Sequence, residues 1–110
     1  MALRVLIVDD DAGFRRLARR VLEAGEIEVV GEAGTGAEAV AAAGSLRPDG
    51  VLLDVQLPDT DGFAVARVLA GLGIPAVLCS VRDYPAGTAV LPKERLSADE
   101  LRRVFGEKSR

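Results

Sequence analysis

The sequence predicts an α/β fold, a doubly wound five-stranded parallel sheet, and three observations predict it. Short unbroken apolar runs recur along the 110 residues. Stretches with helical apolar spacing fall between them. Most of the runs end on an acid or a hydroxyl, as expected where only the carboxyl ends of buried strands meet solvent. Strands alternating with helices at this pace require a sheet covered on both faces, with crossovers of the usual hand.

Each element has its own signal. Residues 5–8 are a continuous apolar run ending in Asp9, Asp10 and Asp11. Phe14, Leu17, Ala18, Val21 and Leu22 then follow helical spacing, with Arg15, Arg16, Arg19 and Arg20 on the other side and Asp11 as the N-cap. Residues 27–30 read as a second strand. Thr35 with Glu38 forms a capping box for a helix expected to turn Ala37, Val40 and Ala41 inward. Residues 51–53 repeat the buried-strand pattern and end on Asp54. Pro58 and Gly62 bracket a turn, and a third helix places Phe63, Ala66 and Leu69 on one side. Residues 76–80 are a fourth strand and 89–91 a fifth. Ser97 with Glu100 caps a last helix bearing Leu101, Val104 and Phe105. The polar tail, residues 106–110, is expected to fray.

Composition narrows the chemistry. The chain fits one domain, residues 1–110, and 49% of it is hydrophobic. With no histidine, it has no Ser-His-Asp or Cys-His nucleophile and no His-ligated zinc. Its one cysteine, Cys79, is expected to be core filling and cannot form an internal disulfide. No membrane span or secretory signal is evident, so a cytoplasmic protein is expected. A net charge of -3 argues against nucleic-acid binding.

The polar residues of interest collect where ligands bind in open parallel sheets, beyond the carboxyl ends of the strands. These are Asp9 and Asp10 after the first strand, Asp54 after the third, Ser80 after the fourth, and Lys93 after the fifth. Carboxylates 4 Å apart repel by about 1 to 4 kcal/mol per pair, depending on the effective dielectric. A hard divalent ion such as Mg²⁺ relieves this and leaves open positions for a phosphoryl oxygen. The set therefore reads as a phosphoryl-transfer site with an aspartate nucleophile.

The stretches VLIVDDD and PDGVLLDVQLPDTDGF, with Ser80 after PAVLC and Lys93 within VLPKERL, resemble the receiver domain of two-component response regulators over essentially the whole chain. The resemblance implies a flavodoxin-like sheet of order 2-1-3-4-5. It implies Asp54 as phosphoacceptor and Mg²⁺ held by Asp9, Asp10, Asp54 and the main-chain carbonyl of Gln56. Ser80 would follow the phosphoryl group and Lys93 would be its counter-ion, with a histidine kinase or histidine phosphotransfer protein as donor. Gln56 and Arg82 fall where the family tunes the lifetime of the acyl phosphate, and the first helix where it docks the donor. VVGEAGTGAEAV is also similar to receivers that precede helix-turn-helix domains. No enzymatic activity on an outside substrate is expected.

Two departures from the family concern one surface. Only nine residues, 81–89, separate Ser80 from Val90, and they lack a helical apolar stripe. Nine extended residues reach about 30 Å, enough to return along a strand of about 17 Å. The family's fourth helix is therefore expected to be missing or reduced to a turn. The family also carries an aromatic switch three positions before the lysine, where this chain has Val90; Tyr84 is the alternative aromatic. Loss of the covering helix is expected to expose apolar sheet near Cys79 and Leu91, a docking face for a second copy or an effector protein.

Two further readings stay open. One keeps the fold as a phosphate-independent interaction module. The other is a haloacid-dehalogenase-type phosphatase, whose acid spacing Asp9 and Asp11 satisfy, although Gly13 stands where that family has a small hydroxyl residue.

Overall fold

The computed structural model describes residues 2–82, 84, 85 and 88–105. In chain order the elements are β1 (Arg4–Val8), α1 (Ala12–Ala24), β2 (Glu28–Ala33), α2 (Gly36–Leu46), β3 (Gly50–Asp54), α3 (Gly62–Gly71), β4 (Ala76–Ser80), β5 (Val90–Pro92) and α4 (Ala98–Phe105). A single 3₁₀ turn, Lys93–Arg95, precedes α4. The strands form one parallel sheet in the order β2-β1-β3-β4-β5, the flavodoxin-like order.

Side-chain alternation builds a core on each face of this sheet. Leu6, Val8, Val51, Leu53 and Leu78 point toward α2 and α3, where Ala39, Ala43, Val65 and Leu69 meet them. Val5, Ile7, Leu52 and Cys79 point the other way, onto Ala18 and Leu22 of α1 and Leu101 and Phe105 of α4. Each fully buried Leu, Ile or Val side chain contributes about 1.5–3 kcal/mol, so the two clusters hold the strands in register.

Helix starts follow the capping signals. Asp11 Oδ1 accepts from the Gly13 and Phe14 N–H groups, and Thr35 Oγ1 accepts from Glu38 N–H while Glu38 Oε1 accepts from Gly34 N–H. At α4, Ser97 Oγ accepts from Glu100 N–H.

Several local expectations are corrected. The second strand is Glu28–Ala33 rather than 27–30, because pairing of Val8 with Ala33 carries it through Gly31 and Glu32. In α2 the buried face is Gly36, Ala39 and Ala43, while Ala37 and Ala41 are exposed. A helix this rich in alanine offers little polar contrast from which to read its phase. Leu17 lies beside the contact stripe of α1 and is 51% exposed. The fifth strand is one residue later than expected and ends on Pro92, which an edge strand tolerates.

Among the described residues of 81–89 none is helical, as the short spacing requires. The uncovered surface is not at Cys79, however. Cys79 is buried and, with Leu91, packs on the α1/α4 side. Leu78 and Val90 lie on the side that carries α2 and α3, and Tyr84 packs against that cluster, its ring edge-on to Phe63 of α3 with centroids 6.5 Å apart. The polar tail expected to fray, 106–110, lies outside the described residues.

Candidate functional site

The carboxyl ends of β1, β3, β4 and β5 lie at one edge of the sheet. Strand pairing aligns Val8 with Leu53, Asp54 with Cys79, and Ser80 with Pro92. The residues just past these positions are thereby brought together. Asp9, Asp10 and Asp54 each offer a carboxylate oxygen within 4.8 Å of the others. Asp9 is buried, Asp54 half-buried and Asp10 exposed.

Backbone bonds fix the frame. Asp9 N–H donates to the Ala33 carbonyl at 3.0 Å, and Asp9 Oδ1 accepts from Asp11 N–H at 2.9 Å. Arg15 Nη1 donates to the Asp9 carbonyl at 2.6 Å, while its Nε, like that of Arg19, pairs with Glu32 on β2. Two of the four α1 arginines are thus tied to the sheet edge rather than free. On β3, Gly62 at the start of α3 lies so close to the phosphoacceptor candidate that a Cβ there would collide with the Asp54 carbonyl oxygen.

Lys93 reaches into the acids from the turn after β5. Its Nζ is 2.6 Å from Asp9 Oδ2 and 3.9 Å from Asp54 Oδ2, and lies 4.3 Å from the Phe14 ring centroid. Burial lowers the pKa of this ammonium, but the hydrogen bond and charge of Asp9, with the charge of Asp54, outweigh it and the net shift is upward. For Asp54, burial and then the charge of Asp9 raise the carboxyl above its ordinary value. Lys93 and the Gln56 backbone N–H offset only part of that rise.

Ser80 is buried at the same edge, with Oγ accepting from Arg82 N–H at 3.0 Å. Among the described residues its own hydroxyl hydrogen meets no acceptor and is available for donation. A cleft of about 350 Å³ opens between Asp10, Asp54, Gln56, Ser80, Arg82 and Lys93. Burial pushes the thiol of Cys79, behind it, up to about 12, as for a structural buried cysteine.

Three carboxylates facing one ammonium leave uncompensated negative charge, and the donors are hard oxygens open to a cleft. That set fits Mg²⁺. Sequence reasoning placed Phe14 only as a core residue and missed Arg15 as a clamp on Asp9. No local pattern announces either contact, because both depend on how α1 packs over the ends of β1 and β5.

The topology and this edge define a class of doubly wound α/β proteins with an acidic pocket at the strand ends. The model of the response regulator receiver domain family matches residues 5–91, and the chain belongs to that family. It is 43% identical over 93 residues to the protein-glutamate methylesterase/protein-glutamine glutaminase of Pseudoalteromonas translucida (strain TAC 125), covering 83% of this chain and 24% of that protein. It is 39% identical to protein-glutamate methylesterase/protein-glutamine glutaminase 1 of Saccharophagus degradans, covering 100% of this chain and 31% of that protein. The chain therefore spans about a quarter to a third of these relatives. Among solved structures it is similar to the signal receiver domain of the response regulator NarL from Mycobacterium tuberculosis, with a TM-score of 0.80 and 30% identity over 98% of this chain and 96% of that one. The response regulator domain of Thermotoga maritima CheB shares the fold, with a TM-score of 0.74 and 24% identity over 99% of this chain and 92% of that one.

These relatives correct one expectation. The sequence leads one to expect no enzymatic activity on an outside substrate, yet the curated relatives bear an enzyme's name. Receiver residues carry no mark of the chemistry named for the longer chains in which they occur, so composition and motifs here could not reveal that association. Among the described residues no helix is long and apolar enough to cross a membrane.

Proposed function

We propose that residues 1–110 act as one cytoplasmic phosphoacceptor receiver domain, taking a phosphoryl group from a histidine kinase or phosphotransfer protein onto Asp54. The observation that carries this reading is the convergence of Asp9, Asp10 and Asp54 within 4.8 Å, with Lys93 among them. An Asp54 carboxylate oxygen attacks phosphorus in line, the new P–O bond forms as the P–N bond to the donor imidazole breaks, and the imidazole nitrogen keeps the electron pair. Asp9, Asp10, Asp54 and the Gln56 main-chain carbonyl would hold Mg²⁺, which would neutralise the transferring group. Lys93 Nζ neutralises a phosphoryl oxygen and helps keep Asp54 ionised. Ser80 Oγ–H donates to another phosphoryl oxygen, a bond its present partner, an N–H donor, leaves it free to make.

The added charge of about -1.5 to -2 is a large perturbation at the sheet edge. Ser80 and Lys93 are the groups that respond, and the face around β4, β5 and α4 passes the change to a partner. That partner is a second copy, an effector, or an enzyme module of the kind named for the methylesterase/glutaminase relatives. The bare crossover and Val90 favour a second reading, a module whose partner binding ignores phosphate.

Intact mass after incubation with a small-molecule phosphodonor and Mg²⁺ tests the assignment. Wild type gains one phosphoryl group and Asp54→Ala gains none; an adduct on both rejects Asp54. Partner binding that is equal before and after modification selects the phosphate-independent reading.

A further inference from the structure

The segment between β3 and α3 is a closed hairpin. Gly62 N–H donates to the Val55 carbonyl, Gln56 and Asp61 form an antiparallel bridge, and Leu57 N–H donates to the Thr60 carbonyl at 3.0 Å. Its base is fixed to the sheet by Val55 N–H on the Cys79 carbonyl at 3.2 Å. Pro58 and Asp59 form its tip.

The tip is tied to a different element through one carboxylate. Asp59 Oδ1 accepts from Gly36 N–H at 2.8 Å and Oδ2 from Ala37 N–H at 3.0 Å. These are two of the donors that the start of a helix leaves without intrahelical partners. Thr35 Oγ1 takes the Glu38 N–H, so Asp59 and Thr35 divide the α2 N-terminus between them. The Thr60 methyl group rests against Gly36, where a Cβ would collide with it. Among the described residues no other hydrogen bond joins the hairpin tip to α2. Gln56 lies on the hairpin between its sheet-bound base and this pinned tip, on the rim of the acidic cleft.

We propose that Asp59 is a positioning residue for the cation site: by pinning the hairpin tip to α2, it holds the Gln56 main-chain carbonyl where a divalent cation in the cleft can use it. The proposal rests on the reading that the cleft binds Mg²⁺. Asp59 touches neither cation nor phosphoryl group, and it acts through the rigidity of the loop. Residues that orient metal ligands typically alter metal affinity by about 10- to 100-fold, and an indirect pin belongs at the lower end.

Calorimetric titration with Mg²⁺ alone, in the absence of phosphodonor, tests it on four proteins. Relative to wild type, Asp59→Ala weakens Mg²⁺ binding about tenfold. Asp59→Asn, which keeps one acceptor but no charge, falls between them. Thr35→Ala, which removes a cap from the same helix end without touching the hairpin, keeps wild-type affinity. Wild-type affinity in Asp59→Ala, equal weakening in Thr35→Ala, or an Asn variant as weak as the Ala variant overturns the positioning role. The last pattern would mean that Asp59 acts by charge alone. Should Asp59→Ala fail to fold, Asp59→Asn decides against wild type and Thr35→Ala by the same criterion. No Mg²⁺ uptake by wild type itself overturns the underlying reading of the cleft, and the proposal with it.

Discussion

Between β1 and β4 each crossover carries a helix, of 13, 11 and 10 residues in turn, whereas the described part of the β4–β5 crossover carries none. The strand-end residues are nevertheless in place on both sides. Ser80 and Lys93 owe their positions to the register of β4 with β5, which sets Ser80 opposite Pro92. The intervening chain need only be long enough to return. The difference teaches that the chemistry of this edge depends on strand pairing, while the surface presented to partners depends on what covers the strands. One can be kept while the other is rebuilt.

Two substitutions press on that contrast. The larger effect is expected at Phe105, which is 1% exposed and packs beneath the sheet with Ile7, Leu22 and Leu52. Phe105→Ala removes the anchor of an eight-residue helix and should cost about 3–5 kcal/mol in urea unfolding. Tyr84→Ala, in the crossover between β4 and β5, should cost only about 1 kcal/mol, roughly the worth of an aromatic pair. If both cost the same, the loop is as integral as a helix and the contrast between the two halves fails. If Tyr84→Ala costs nothing, the crossover is more open than its contact with Phe63 indicates.

The strand-end acids were legible because apolar runs that stop on Asp9 and Asp54 leave little doubt where the strands end. That the described part of the β4–β5 crossover holds no helix followed from a count of residues between Ser80 and Val90. Other features depend on partners far away in sequence. Strand β2 runs on to Ala33 only because β1 pairs with it. The phase of α2 is hidden among alanines, and Cys79, expected beside exposed apolar sheet, is instead buried under α1 and α4, while Leu91 is half-buried at an open cleft. The contact of Asp59 with Gly36 and Ala37 spans more than twenty residues and has no local signature.

Convergence of like charges has a thermodynamic signature. Burial and Asp9 raise the Asp54 pKa in the folded protein. Its stabilising contribution is therefore present in full below the ordinary carboxylate value of about 4 and is lost as pH rises through the higher folded value. Thermal unfolding of wild type and Asp54→Asn, with and without Mg²⁺, reads this directly. At pH 7 without Mg²⁺ the variant should melt a few degrees above wild type. That gap should close as pH falls toward 4, and Mg²⁺ should raise the melting temperature of wild type more than that of the variant. A variant no more stable than wild type at pH 7, together with a Mg²⁺ effect absent from both or equal in both, would contradict the account.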